Sequence, residues 1–201
     1  MQNDKKITII LLIITVLFAS SSCETKINNI NNTAEDKKVI LGEADYKKYE
    51  SIEDMANSSD YIILGIVLDV HYEWRSLEIG KDKVKELVNP EDEWKDGLDI
   101  VTVYEIQVVD DYTSSYNKGD IVNVIVLGGE TDKVSVKYID EPILNKGCEY
   151  LLFLAKDLMW EDNAWLKNNK QAIYELTDDN RLEADSGFNI SIQWLEDYKA
   201  S

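Results

Sequence analysis

Read for the alternation of apolar and polar positions, the chain opens with one continuous apolar run, passes through a polar stretch, and continues as short apolar segments parted by turn residues. The clearest period of two lies over Asp99–Val109. There Ile100, Thr102, Tyr104, Ile106 and Val108 alternate with Val101, Val103, Glu105, Gln107 and Val109, which predicts a β-strand. Tyr61–Val70 is dense in Ile, Leu and Val and contains Gly65. It reads as a buried strand with a bend or a close backbone approach at the glycine. The alternation continues through His71-Tyr72-Glu73-Trp74, as in a strand leaving the core. Ile121–Leu127 and Val134–Ile139 lie on either side of Gly128-Gly129, a turn that asks for positive φ, and are expected to pair as a hairpin. Glu149–Ala155 is apolar on both faces, the mark of a central, covered strand. Ala172–Thr177 and Arg181–Ala184 flank Asp178-Asp179-Asn180, a tight hairpin turn, and Val39-Ile40-Leu41 adds a short strand.

Helices are short in this pattern. Ser51-Ile52-Glu53-Asp54 has the form of an N-cap, after which Ile52, Met55 and Ala56 share a face until Asn57-Ser58-Ser59. Ile190–Tyr198 places Ile192 and Leu195 at helical spacing and ends the chain as a second helix. Residues 75–97 carry Gly80, Pro90, Gly97 and mixed charge, and read as a long loop with a helical turn at Lys83–Leu87. No internal repeat or second domain boundary is visible. The expectation is a mostly β fold, a small antiparallel β-barrel with short flanking helices, occupying residues 49–201. Residues 23–48 precede it as a flexible tether, rich in Asn, Thr and charge through Asn28–Thr33 and on to Lys38.

The opening residues have a separate logic. Lys5-Lys6 precedes an apolar run from Ile7 to Phe18 that is too short to span a membrane comfortably, and Ala19-Ser20-Ser21-Ser22 leads to Cys23. This is the three-part layout of a secretory signal over residues 1–22. The cysteine after small residues resembles the lipobox of bacterial lipoproteins, with Ser20 standing where that motif usually has Leu. The resemblance implies a diacylated Cys23 as the mature N-terminus and an extracytoplasmic protein anchored to the cell membrane. At about 0.8 kcal/mol per buried methylene, two acyl chains give stable anchoring. A plain cleaved signal and an uncleaved anchor are the alternatives.

Four segments together carry a second resemblance: Ser51–Val70 with its Ser58-Ser59-Asp60 before the strand, Thr102–Val109, Lys118–Glu130, and Gly147–Leu154. In this order they are similar to a small β-barrel domain of bacterial envelope lipoproteins, itself OB-like in the version seen in netrin modules and tissue inhibitors of metalloproteinases. The likeness covers roughly residues 50 to 184. It implies a fold and an envelope location, without an activity. Zinc chelation by an N-terminal cysteine, as in those inhibitors, does not carry over to Cys23, which is expected to be lipidated and lies well before the fold.

Charge and composition narrow the function classes. The formal net charge is −18, and removal of residues 1–22 takes away Asp4, Lys5 and Lys6 and leaves −19. Such a chain repels phosphate backbones, which argues against nucleic-acid binding. It also adheres poorly to anionic lipid, so membrane attachment needs another cause. Two cysteines make no disulfide framework, and Cys148, opening a buried strand, reads as an inert core thiol. One histidine, His71, leaves little room for a His-rich zinc site or a Ser-His-Asp triad.

The residues singled out for binding are Tyr72, Trp74 and Trp94, aromatics near the long loop that could stack on sugar rings or peptide side chains, and Glu130 beside the glycine turn. Against this stands the plainer reading of aromatics that cover the ends of a barrel. Glu91, Asp92, Glu93 and Asp96 lack the spacing of a calcium loop, with Trp94 at its third position, and read as a solvated acidic loop. No catalytic group, metal or cofactor is expected. The favoured function is a non-catalytic binding or structural module of the envelope, its partner an envelope protein or glycan. The alternative is an envelope hydrolase or a protease-regulating protein.

Overall fold

A computed structural model describes residues 37–76, 83–84, 97–160, 163–185 and 187–200. The expected leader, Cys23, residues 24–36 of the expected 23–48 tether, Trp94 and the acidic cluster at 91–96 lie outside the described residues. Over the described residues the chain is mostly β, with two sheets and two short helices, Ile52–Ser58 and Ile192–Lys199. In chain order the elements are β1 (Lys38–Gly42), α1 (Ile52–Ser58), β2 (Tyr61–Arg75), β3 (Asp99–Asp111), β4 (Ile121–Leu127), β5 (Gly129–Glu130), β6 (Val134–Tyr138), β7 (Glu149–Lys156), β8 (Asn163–Leu166), β9 (Ile173–Leu176), β10 (Leu182–Glu183) and α2 (Ile192–Lys199).

The larger sheet is built on the long antiparallel pair β2–β3, in which Ile63 opposes Asp111 at one end and Arg75 opposes Asp99 at the other. β2 bends at register shifts after Leu64 and Val67. Gly65 lies at the first of them because the strands approach closely: a Cβ there would sit 2.4 Å from Ile106 Cγ2 and 2.9 Å from the Gln107 carbonyl. β3 pairs with β4, and β2 pairs with β7. β8 pairs in parallel with β4 and antiparallel with β7, so the hydrogen-bonded neighbours β2, β3, β4, β8 and β7 lead round to β2 again. β9 and β10 continue from the other side of β7 as the expected hairpin, with Asn180 at φ 62° in its turn.

The principal core lies on the inner face of this circuit. Tyr104, Ile106, Val122, Val124, Val126, Ala164 and Leu166 meet the apolar run of β7, where Tyr150–Leu154 are all buried. Two helices close the core. α1 buries Ile52, Met55 and Ala56, and Ser51 caps it by accepting the Asp54 N–H at 3.1 Å. α2 buries Leu195, with Ser191 accepting the Trp194 N–H at 3.1 Å. Asp111, 6% exposed, holds the turn after β3 by accepting the Thr113 and Tyr116 N–H groups at 2.7 and 2.6 Å.

One expectation is corrected. β4 and β6 do not form a hairpin. Gly128 at φ 101° and Gly129 at φ 153° supply the positive φ expected of them, but they turn the chain out of the larger sheet, and β6 pairs with β5 and in parallel with β1. The result is a separate three-stranded sheet, β1-β6-β5, whose Ile40, Val134, Val136 and Tyr138 pack on Ile100 and Trp74 near the open end of β2–β3. Cys148 immediately precedes β7 and is buried, at 4% exposure.

Candidate binding cleft

Where β2 and β3 reach past the rest of the larger sheet, the end of β2, the start of β3, the small sheet, the end of β4 and β8 enclose a cleft of about 380 Å³. Its walls include Ile40, Val101, Leu127, Tyr138 and Trp165, with Arg75 at the base. Alternation on β2 sends His71, Glu73 and Arg75 to one face and Tyr72 and Trp74 to the other. Arg75 therefore lies on the outer face of the sheet, opposite Asp99 and next to the apolar cluster of Val101, Val103, Ile125, Leu127 and Trp165.

Arg75 is one of two arginines in the chain, and its side chain is only 3% exposed. Its Nη1 donates to Asp157 Oδ2 at 2.9 Å and its Nη2 lies 3.6 Å from Glu73 Oε2. The guanidinium covers the Trp160 ring at 3.9 Å from the centroid, with Trp165 at 5.9 Å. Burial pushes its pKa down, and the Asp157 and Glu73 carboxylates oppose that shift. Asp157 also accepts the Met159 and Trp160 N–H groups at 2.9 and 3.1 Å, so one carboxylate fixes both the arginine and the turn that carries Trp160. On the opposite wall the Tyr138 hydroxyl donates to Asp99, whose other oxygen accepts the Ile100 N–H at 2.9 Å. Burial, then the Asp99 carboxylate, raises the Tyr138 pKa, so this phenol stays protonated.

Of the residues singled out in the sequence, Tyr72, Trp74 and Glu130 fall near the cleft without lining it, and Trp94 lies outside the described residues. Tyr72 is 48% exposed, and its ring lies over Gly129: a Cβ on that glycine would be 2.7 Å from Tyr72 Cδ1 and 2.9 Å from Ile100 Cγ2. Trp74 is half-buried between the small sheet and the cluster of Val84, Leu98 and Trp160. Glu130 is exposed and pairs with Lys37 at 2.9 Å. Glu130, Tyr72 and Glu141 are electrostatic neighbours. Burial raises the pKa values of Tyr72 and Glu141, and the Glu130 charge adds to both shifts. This corner follows from the glycine turn, pinned by Thr102 Oγ1 donating to the Gly128 carbonyl at 2.8 Å.

The sequence reading missed Arg75, Tyr138 and Asp157. The available signal was an arginine, rare in this lysine-rich chain, placed next to Trp74 at the end of an aromatic strand. In chemical terms the cleft has an apolar wall, one indole face and one phenol, and an arginine whose charge is already met by two carboxylates. No protein-family model, curated protein or solved structure matches this chain.

Proposed function

We propose that the chain is an envelope lipoprotein, held to the membrane by a diacylated Cys23, whose folded part is an OB-like barrel acting as a non-catalytic binding module. Support for the barrel comes from the pairing circuit of β2, β3, β4, β8 and β7, five strands as in an OB-fold. The observation that carries the binding reading is the cleft beside Arg75. Because Asp157 and Glu73 balance the guanidinium, and Asp99 adds a further negative charge, the cleft disfavours anions. Its indole and phenol suit an uncharged ring or a peptide side chain, which fits an envelope glycan or protein as ligand. The cleft carboxylates are engaged in structural hydrogen bonds, Asp99 with Tyr138 and Ile100 and Asp157 with Arg75 and two backbone N–H groups, which disfavours the hydrolase alternative.

Between Cys23 and β1 the polar stretch is short. At roughly 5–6 Å × √n it spans about 20 Å as a coil, which keeps the fold close to the bilayer. Cys23→Ala should move the chain from the membrane fraction to the soluble fraction. Retention in the membrane would refute the anchor, and so would recovery of Cys23 in a disulfide-linked peptide with Cys148, because one sulfur cannot hold both a thioether and a disulfide. Affinity capture from envelope extract tests the cleft: Trp165→Ala should lower capture about tenfold relative to the native chain. Equal capture by the two would place binding elsewhere.

A further inference from the structure

We propose that β1 is a self-association edge, through which two copies of this chain pair antiparallel about a two-fold axis at Ile40. Among the described residues β1 pairs with β6 alone, and it ends the small sheet. The Lys38 N–H donates to the Lys133 carbonyl at 2.9 Å, and the Gly42 carbonyl accepts from the Ile139 N–H at 3.4 Å. The even-numbered residues of β1 therefore turn their backbone groups toward β6, and Val39 and Leu41 turn theirs away from it. The side chains of these same two residues are exposed, Val39 at 57% and Leu41 at 80%. An uncovered, apolar strand edge of this kind templates pairing with another strand, and proteins that stay monomeric normally blunt it with a charge or a proline. β1 has neither at Val39, Ile40 or Leu41.

The sequence of the edge selects the occupant. Lys37-Lys38-Val39-Ile40-Leu41-Gly42-Glu43 is complementary to itself when reversed. Pairing about Ile40 sets Val39 opposite Leu41 and Lys37 opposite Glu43 of the second copy, apolar against apolar and cation against anion. All four positions are odd-numbered, so they share one face and meet through the outward-turned backbone groups. A register shifted by one residue opposes odd and even positions and breaks this match. A shift by two sets Lys37 against Leu41 or Val39 against Glu43. The Lys37 ammonium already lies 2.9 Å from Glu130 in a partly exposed pair, and with three donors it serves both carboxylates. Such a pairing is isologous.

The test is disulfide trapping in intact cells that co-express full-length Val39→Cys and Leu41→Cys chains. Opposed residues in a hydrogen-bonded antiparallel pair have Cα atoms about 5.5 Å apart, which matches the span of a disulfide, whereas each position lies roughly 7–8 Å diagonally from its own copy. Mild oxidation should trap a dimer from the co-expressed pair and not from either variant alone. The native cysteines are common to all three samples. Adding Glu43→Lys to both chains should cut the yield at least fivefold, and adding Lys37→Glu to the same chains should restore it. Absence of the dimer on co-expression, equal yield from the single variants, or a cross-link to a different protein would overturn the proposal.

Discussion

Asp157→Ala is expected to cost about 3–5 kcal/mol of folding stability. The substitution removes the 2.9 Å partner of a guanidinium that is 3% exposed, and it also releases the Met159 and Trp160 N–H groups. Glu73 alone remains, at 3.6 Å, to face a charge that water cannot reach. The loss follows from stranding the arginine, and the sign of a second experiment shows this. Replacing both partners, Arg75→Met with Asp157→Leu, should return most of the stability, because a buried ion pair contributes little net free energy against apolar groups of similar volume. Urea midpoints of the two variants decide the matter. A single variant within about 1 kcal/mol of the native chain would mean that Asp157 behaves as a surface ion pair.

Phe153→Ala should lose about 3–5 kcal/mol, by lost apolar transfer and by the cavity left behind. Phe153 is fully buried at the centre of β7, opposite Ile62, and its ring meets Tyr174 edge-on at a centroid distance of 6.0 Å. Tyr174 cannot follow it freely into the space. Its hydroxyl oxygen accepts the Phe188 N–H at 2.9 Å, and a Cβ on Gly187 would fall 2.7 Å from that same oxygen. Phe153→Leu keeps most of the volume and should cost less than about 1.5 kcal/mol. Chemical denaturation of the three chains gives the ordering; equal losses for Leu and Ala would show that the aromatic contact, and not the cavity, sets the energy.

These two sites mark the limits of what was legible in the sequence. Phe153 was: an apolar stretch on both faces between Glu149 and Ala155 must be covered on both, and Tyr150–Leu154 of β7 are all buried. The Arg75–Asp157 pair was not, because the two residues are 82 positions apart and nothing local to either names the other. Likewise β8 was not foreseen. Asn163–Leu166 is too short for its alternation to stand out, yet it joins β4 to β7. Gly128-Gly129 shows a mixed outcome. The requirement for positive φ is a property of the residues and was read correctly, whereas the direction in which the turn sends the chain depends on where β1 lies.

By itself the sequence determined the elements and their faces: which segments extend, which residues point to the core, where Ser51 begins a helix, and that the chain carries a strong negative charge. Those properties arise from a period of two or 3.6 residues and from turn chemistry, and each is local. The tertiary structure decided which strands pair, that β6 joins β1 in a second sheet, and that an arginine, a phenol and an indole converge at one cleft. Pairing partners follow from the free energy of burying faces together across long separations in the chain. That quantity belongs to the assembled core and to no segment within it.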